Sequence, residues 1–96
     1  MEFEFLELAQ LELDETVIYY ENQQKNLGIK FAQEVKNCLD RIERFPEGWQ
    51  KLTLNTRRAL LQKFPYGVIY QIKTDLILII AIANLRRKPN YWVDRI

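Results

Sequence analysis

The sequence predicts a single α+β domain in which an N-terminal strand and an antiparallel helical hairpin precede a twisted antiparallel sheet. Three patterns support this prediction. Apolar residues alternate with glutamates at the N-terminus, two stretches between residues 9 and 42 repeat apolar residues every three or four positions, and the second half returns to alternation. Helices grouped together, rather than interleaved with strands, are typical of the α+β class.

The first strand and first helix follow from residue spacing. Met1, Phe3 and Phe5 alternate with glutamates, which indicates a half-buried strand. Spacings of three and four then mark a helix. Its inward positions are Ala9, Leu13, Thr16, Val17 and Tyr20. We expect this helix to end at Asn26-Leu27-Gly28, because Asn and Gly adopt the left-handed conformation that ends helices.

A second amphipathic helix follows at once. Its apolar stripe comprises Phe31, Val35, Leu39 and Ile42. Pro46-Glu47-Gly48 is expected to terminate it, and Cys38 beside the stripe is expected to be a small core residue. A link this short between two helices favours an antiparallel hairpin, and the acids on both helices are expected to form a solvated face.

The second half predicts the sheet. A first strand pattern runs from Arg57 to Phe64. After a break at Pro65, a second pattern places Val68, Tyr70 and Ile72 on one face. Tyr66 and Tyr70 are expected in or beside the core. Lys73-Thr74-Asp75 indicates a tight turn. Leu76 to Ala83 is apolar at every position, which predicts an interior strand covered on both faces. The tail after it is expected to form a loop and then a short turn or helix, anchored by Trp92.

Composition excludes most enzyme classes. The chain has no histidine and one cysteine, so it lacks the commonest general base and any Cys or His cluster of metal-binding spacing. No metal or cofactor is expected. A lone cysteine suits a reducing cytoplasm, and no apolar run is long enough for a membrane span.

The charge is divided between the two halves of the chain. Residues 1–50 hold 11 acids and 5 bases (−6), and residues 51–96 hold 2 acids and 9 bases (+7). Such a basic half can bind phosphates or carboxylates, with aromatic side chains available to stack. The candidate binding residues are Arg57, Arg58, Lys63, Tyr66, Arg86, Arg87, Lys88, Tyr91, Trp92 and Arg95. Composition alone leaves open whether the partner is nucleic acid or protein.

Short motifs in a defined order resemble the RelE/ParE superfamily. They are Tyr19-Tyr20-Glu21, Leu27-Gly28-x-x-Phe31-x-x-Glu34-Val35, Ile42-x-x-x-Pro46, Arg57-Arg58, Phe64-Pro65-Tyr66-x-Val68-x-Tyr70 and Ala81-Ile82-Ala83-Asn84-x-x-Arg87-x-Pro89-x-Tyr91-Trp92. The resemblance implies the toxin of a type II toxin–antitoxin system, neutralised by a cognate antitoxin. It leaves open a homodimer or a toxin–antitoxin hetero-oligomer.

The resemblance implies one of two activities. RelE-like members cleave ribosome-bound mRNA, and that function would assign phosphate stabilisation to Arg58 and Arg87 and proton transfer to Tyr91. ParE-like members inhibit DNA gyrase without being nucleases. Positions that carry cations or histidine in nuclease members are Gly67, Leu60 and Asn84 here.

These departures argue against cleavage, and the Phe64-Pro65-Tyr66 element and the tail motif resemble the ParE-like branch, which is therefore favoured. The expected target or partner contacts are Arg57, Arg58, Lys63, Arg86, Arg87, Tyr91, Trp92 and Arg95. An attenuated toxin that only binds antitoxin is the remaining alternative.

Overall fold

The computed structural model describes residues 1–96, and its elements follow the predicted order. They are β1 (Glu2–Phe5), α1 (Glu7–Gln23), α2 (Leu27–Arg44), β2 (Gln50–Lys51), β3 (Arg57–Leu60), β4 (Tyr66–Ile72), β5 (Leu76–Asn84) and a C-terminal 3-10 turn (Val93–Arg95). The predicted fold class is confirmed. Neither helix combines the length and apolar composition that crossing a membrane requires.

The five strands form one mostly antiparallel sheet in the order β1-β5-β4-β3-β2. Strands β2 to β5 pair antiparallel with their neighbours, whereas β1 pairs parallel with β5, from Glu2 opposite Leu76 to Phe5 opposite Ile79. The sequence pattern did not specify this partner for β1. The pattern also overextended β3, which ends at Leu60, and gave no signal for the two-residue strand β2.

The connection between the helices uses Asn26 and Gly28 for different purposes. Helix α1 ends at Gln23, and Asn26 adopts the left-handed conformation with φ 71°. Gly28 lies inside α2, where a Cβ atom would collide with the Val17 carbonyl oxygen of α1. Glu21 accepts hydrogen bonds from the amides of Asn26 (2.8 Å) and Gly28 (3.1 Å), which orders the start of α2.

The hairpin packs on one face of the sheet. Three residues of the predicted α2 stripe are buried, and the fourth, Leu39, is partly buried. Cys38 is fully buried beside them. Opposite lie apolar residues of β4 and β5, including Val68, Tyr70 and Ile79. The Tyr70 hydroxyl donates to the Pro46 carbonyl oxygen at 2.5 Å, so the loop after α2 is tied to the sheet.

The other face of β5 is covered by the C-terminal tail. Trp92 is 3% exposed and packs with Ile69 of β4 and with three residues of β5. Those three are Ile80, Ala81 and Ala83. Together with the helices on the opposite face, this cover explains why Leu76 to Ala83 are all apolar. The predicted tail anchor is confirmed, and the burial of Trp92 leaves little of it to contact another molecule.

Candidate functional site

The tail lies along an open edge of β5. Strand β1 ends at Phe5, opposite Ile79, so β5 has no strand neighbour on that side from Ile80 onward. Two side chains replace that neighbour. Glu12 of α1 accepts a hydrogen bond from the Ile82 amide at 3.1 Å, and Arg95 of the tail donates to the Ile80 carbonyl oxygen at 3.1 Å. These bonds satisfy backbone groups that would otherwise be buried without partners.

Glu12 also joins the tail to α1. Its carboxylate accepts two hydrogen bonds from the Arg95 guanidinium, at 2.8 and 2.9 Å, and one from the Tyr91 hydroxyl at 2.6 Å. The side chain of Glu12 is only 15% exposed. The expectation that the helix acids form a solvated face is therefore wrong for Glu12.

Arg87 and Tyr91 form a stacked pair beside this carboxylate. The guanidinium carbon of Arg87 lies 3.9 Å from the Tyr91 ring centroid, and its Nη1 lies 3.9 Å from Glu12 Oε2. The Arg87 side chain is 57% exposed. The structure thus brings together two residues of the predicted site, with one guanidinium facing solvent.

The network raises the pKa values of two tail residues, Tyr91 and Arg95. Burial, reinforced by the hydrogen bond to Glu12, raises the pKa of Tyr91 well above its usual range. The hydrogen bond to Glu12 raises the pKa of Arg95, which therefore stays charged. At neutral pH the Tyr91 hydroxyl is a fixed donor to Glu12, and it is poorly suited to exchange protons with a substrate.

Arg58 reaches the same region across the outer sheet face. Its aliphatic stem lies over Gly67, where a Cβ atom would stand 3.0 Å from Arg58 Cγ. Its Nη2 donates to Gln50 Oε1 at 3.2 Å, while its buried Nε has no partner. Because Gly67 has no side chain, the Arg58 side chain can extend over it from the neighbouring strand.

Two clefts meet at the stacked pair. A groove of about 230 Å³ on the outer face is lined by both Arg58 and Arg87, together with Lys88. A cleft of about 270 Å³ on the helix side is lined by Tyr19 of α1 and Asn84 of β5, again with Arg87. Arg87 and Tyr91 line both.

Asn84 has a local role at the end of β5. Its Oδ1 accepts a hydrogen bond from the Arg86 amide at 2.9 Å, and its Nδ2 lies 3.4 Å from the Tyr66 hydroxyl. The side chain therefore stabilises the turn into the tail.

Three remaining predicted contacts line neither of these clefts. Arg57 donates to the carbonyl oxygens of Glu47 and Trp49, at 2.9 and 2.8 Å, in the loop after α2. Lys63 lines a separate groove beside α2, and Arg86 is exposed on the turn after β5. The basic half of the chain is therefore spread over several surfaces.

Helix α1 carries a second apolar face that the sequence analysis missed. Leu8, Leu11, Ile18 and Tyr19 are each at least 50% exposed. At 100° per residue these positions fall within about a third of the helix circumference, opposite the packed side. Acidic residues Glu7, Asp14 and Glu15 lie among or beside them. The available signal was the apolar residues of α1 that lie out of phase with its inward positions.

The fold and the tail define a small α+β protein that presents exposed cations beside the end of its last strand, and its sequence identifies the family. The chain belongs to the family described as "ParE toxin of type II toxin-antitoxin system, parDE", which matches residues 3–89. This confirms the resemblance and its ParE-like assignment, and membership in such a family implies an antitoxin partner.

A solved structure shares the fold. A chain of the structure titled "Chromosomal ParDE TA system from P. aeruginosa" superposes with a TM-score of 0.77 at 17% sequence identity. The match covers 90% of this chain and 97% of the other. No curated protein matches the sequence.

Proposed function

We propose that this protein is a toxin that inhibits DNA gyrase by direct contact and is neutralised by a cognate antitoxin. The family assignment supports the toxin class. The observation that carries the choice of a contact function is the hydrogen bond from Tyr91 to Glu12, together with the raised pKa of Tyr91. A ribonuclease would need this group to exchange protons near neutral pH.

The contact surface in this proposal is the exposed, basic part of the tail. Arg87 presents a fixed guanidinium, with Arg86 and Lys88 exposed on either side. Arg58 adds a fourth cation across the outer groove. Guanidinium groups bind carboxylates and phosphates in a bidentate manner, so this surface suits an acidic protein surface or a protein–DNA complex.

The alternative is cleavage of ribosome-bound mRNA, which the shared groove of Arg58 and Arg87 favours. Tyr91→Phe separates the two functions, because it keeps the ring that supports Arg87 and removes the hydroxyl. A gyrase inhibitor should lose at most about tenfold of its potency, because the ring can still stack on Arg87 although the hydroxyl no longer ties it to Glu12. A ribonuclease that uses Tyr91 should lose about 10²-fold or more of its rate.

The direct test is induced expression in a bacterium, with growth, protein synthesis and a DNA-damage reporter followed together. Gyrase inhibition predicts growth arrest with a damage signal while translation continues at first. Purified protein should also inhibit supercoiling by purified gyrase. Rapid loss of translation without a damage signal would instead support the ribonuclease, and no arrest would indicate an attenuated toxin.

We further propose that the antitoxin covers the exposed apolar face of α1. An apolar surface of this extent is expected to be covered by a partner. The acidic residues beside it favour an amphipathic helix whose apolar stripe is flanked by Lys or Arg. They also disfavour a second copy of this chain, because two such faces would bring acids of like charge together.

A further inference from the structure

Glu12 differs from the other acids on the helices because every acceptor position of its carboxylate is used. A carboxylate offers about four lone-pair sites. Oε1 accepts from the Ile82 amide and from Arg95 Nη1, while Oε2 accepts from the Tyr91 hydroxyl and from Arg95 Nη2. These donors come from β5 and from two points of the tail, so one side chain fixes three segments relative to α1.

Arg87 depends on this arrangement for its orientation. Its backbone amide donates to the Asn84 carbonyl oxygen at 3.1 Å, which fixes the main chain only. Its guanidinium is held by stacking on the Tyr91 ring and by a long ion-pair contact with Glu12 Oε2. The ring in turn is held through its hydroxyl by Glu12.

The charge of Glu12 adds a second effect. Two guanidinium groups lie near the Tyr91 ring, with the Arg87 and Arg95 carbons 3.9 and 5.2 Å from its centroid. Two cations this close repel each other unless an anion lies near both. Glu12 is that anion, with oxygens 2.8 Å from Arg95 and 3.9 Å from Arg87.

We infer that Glu12 is a positioning residue, which holds Tyr91 and thereby fixes the Arg87 guanidinium in the orientation that contacts the target. This inference rests on the proposed function for its activity readout, although the positioning itself can be measured separately. Fixing a long side chain before binding removes an entropic cost from association. Loss of the positioning should therefore lower potency about tenfold without preventing binding.

The test compares Glu12→Gln with Asp14→Asn, which removes the same charge from an exposed position of α1. Circular dichroism first establishes that both variants fold. Ultraviolet titration of the tyrosines, with Tyr91→Phe to assign the signal, should show Tyr91 ionising at lower pH in Glu12→Gln and unchanged in Asp14→Asn. Supercoiling inhibition by Glu12→Gln should require about ten times more protein.

A double-mutant cycle with Arg87→Ala separates positioning from a general structural role, provided that it is measured in vitro at protein concentrations high enough to detect the weak inhibition that remains when toxicity in cells is lost. If Glu12 acts through Arg87, Glu12→Gln should have almost no further effect on gyrase inhibition once Arg87 is replaced. Additive losses would overturn the inference, and so would a Tyr91 titration that does not change in Glu12→Gln.

Two further outcomes are distinguishable. If Glu12→Gln does not fold, Glu12→Asp serves as the second variant, because it keeps the charge on a shorter side chain. The inference then predicts faster amide hydrogen exchange of residues 85–92, since the shorter side chain holds the tail less firmly. Unchanged exchange would contradict it. If the unmodified protein does not inhibit gyrase, the proposed function fails, while the titration and the exchange measurements still decide whether Glu12 positions the tail.

Discussion

Glu12 and Arg95 form a bidentate ion pair between residues 83 positions apart in the chain. Both side chains are largely buried, at 15% and 13% exposure. The pair joins the first helix to the last turn, and the guanidinium also donates to the Ile80 carbonyl oxygen. The tail is therefore held by charge-assisted bonds as well as by the packing of Trp92.

Arg95→Met should lower the free energy of unfolding by about 2 kcal/mol, because it leaves Glu12 and the Ile80 carbonyl oxygen without their strongest donor. Urea denaturation followed by circular dichroism measures this loss. Lys25→Met is the control, since Lys25 is exposed between the helices and makes no ion pair. Equal stability of the two variants would contradict the prediction.

Arg87→Ala should abolish toxicity while leaving the fold intact. The side chain is more than half exposed, and such cations contribute little to stability. Growth after induction gives toxicity, and circular dichroism with thermal unfolding gives the state of the fold. Lys36→Ala, an exposed cation on α2, should remain toxic. A fully toxic Arg87→Ala, or one that is unfolded, would remove this residue from the contact surface.

Leu11→Glu should weaken antitoxin binding at least about tenfold and leave toxicity unchanged. The substitution places a charge in the apolar face of α1, where Leu11 is half exposed. Calorimetry with the purified antitoxin measures the affinity, and co-expression measures rescue of growth. Leu54→Glu is the matched control, because Leu54 is 85% exposed in the loop between β2 and β3. Equal rescue of both variants would place the antitoxin elsewhere.

Gly28→Ala should destabilise the protein although alanine is the better helix former. The propensity gain is about 1 kcal/mol. A Cβ atom would collide with the backbone of α1 at Val17, and forcing the helices apart costs up to about 3 kcal/mol. We expect a net loss of about 2 kcal/mol in urea denaturation. Lys36→Ala, on the exposed side of α2, should be neutral or slightly stabilising.

Cys38 should be unreactive in the folded protein. Burial raises the pKa of its thiol to about 11, so at pH 8 only about a thousandth of it is the reactive thiolate. Labelling with a thiol-specific reagent should be slow at pH 8 and fast in denaturant. The same rate in both conditions would contradict the buried position.

Burial also raises the pKa of Tyr70, to about 12. The free energy of unfolding should therefore fall as pH rises from 10 to 12, because the unfolded chain loses the Tyr70 proton first.

The parts of the fold that local patterns encode could be predicted from the sequence. Phe31 and its stripe mark one face of α2, and the unbroken apolar run of β5 indicates cover on both sides. These inferences need only the period of each element. Trp92 was also expected to anchor the tail, and the structure adds that it covers the outer face of β5.

Glu12 could not be predicted in this way. On α1 it has the spacing of a surface acid, and its partners lie 70 to 83 residues away. Only the tertiary arrangement brings them together. The role of Gly67 could not be predicted either. A glycine is needed there because the Arg58 side chain crosses over it from the neighbouring strand. Arg87 and Tyr91 were among the candidates that the basic and aromatic composition of the second half indicated, and the resemblance selected them again.

The parallel pairing of β1 with β5 has a consequence for synthesis. Glu2 pairs with Leu76, so the first strand cannot find its place until most of the chain has left the ribosome. Contacts this distant in sequence slow folding, because a large loop must close before they form. During that interval the open edge of β5 and the apolar core are exposed to other chains, and an early-binding partner could shield them as the sheet closes.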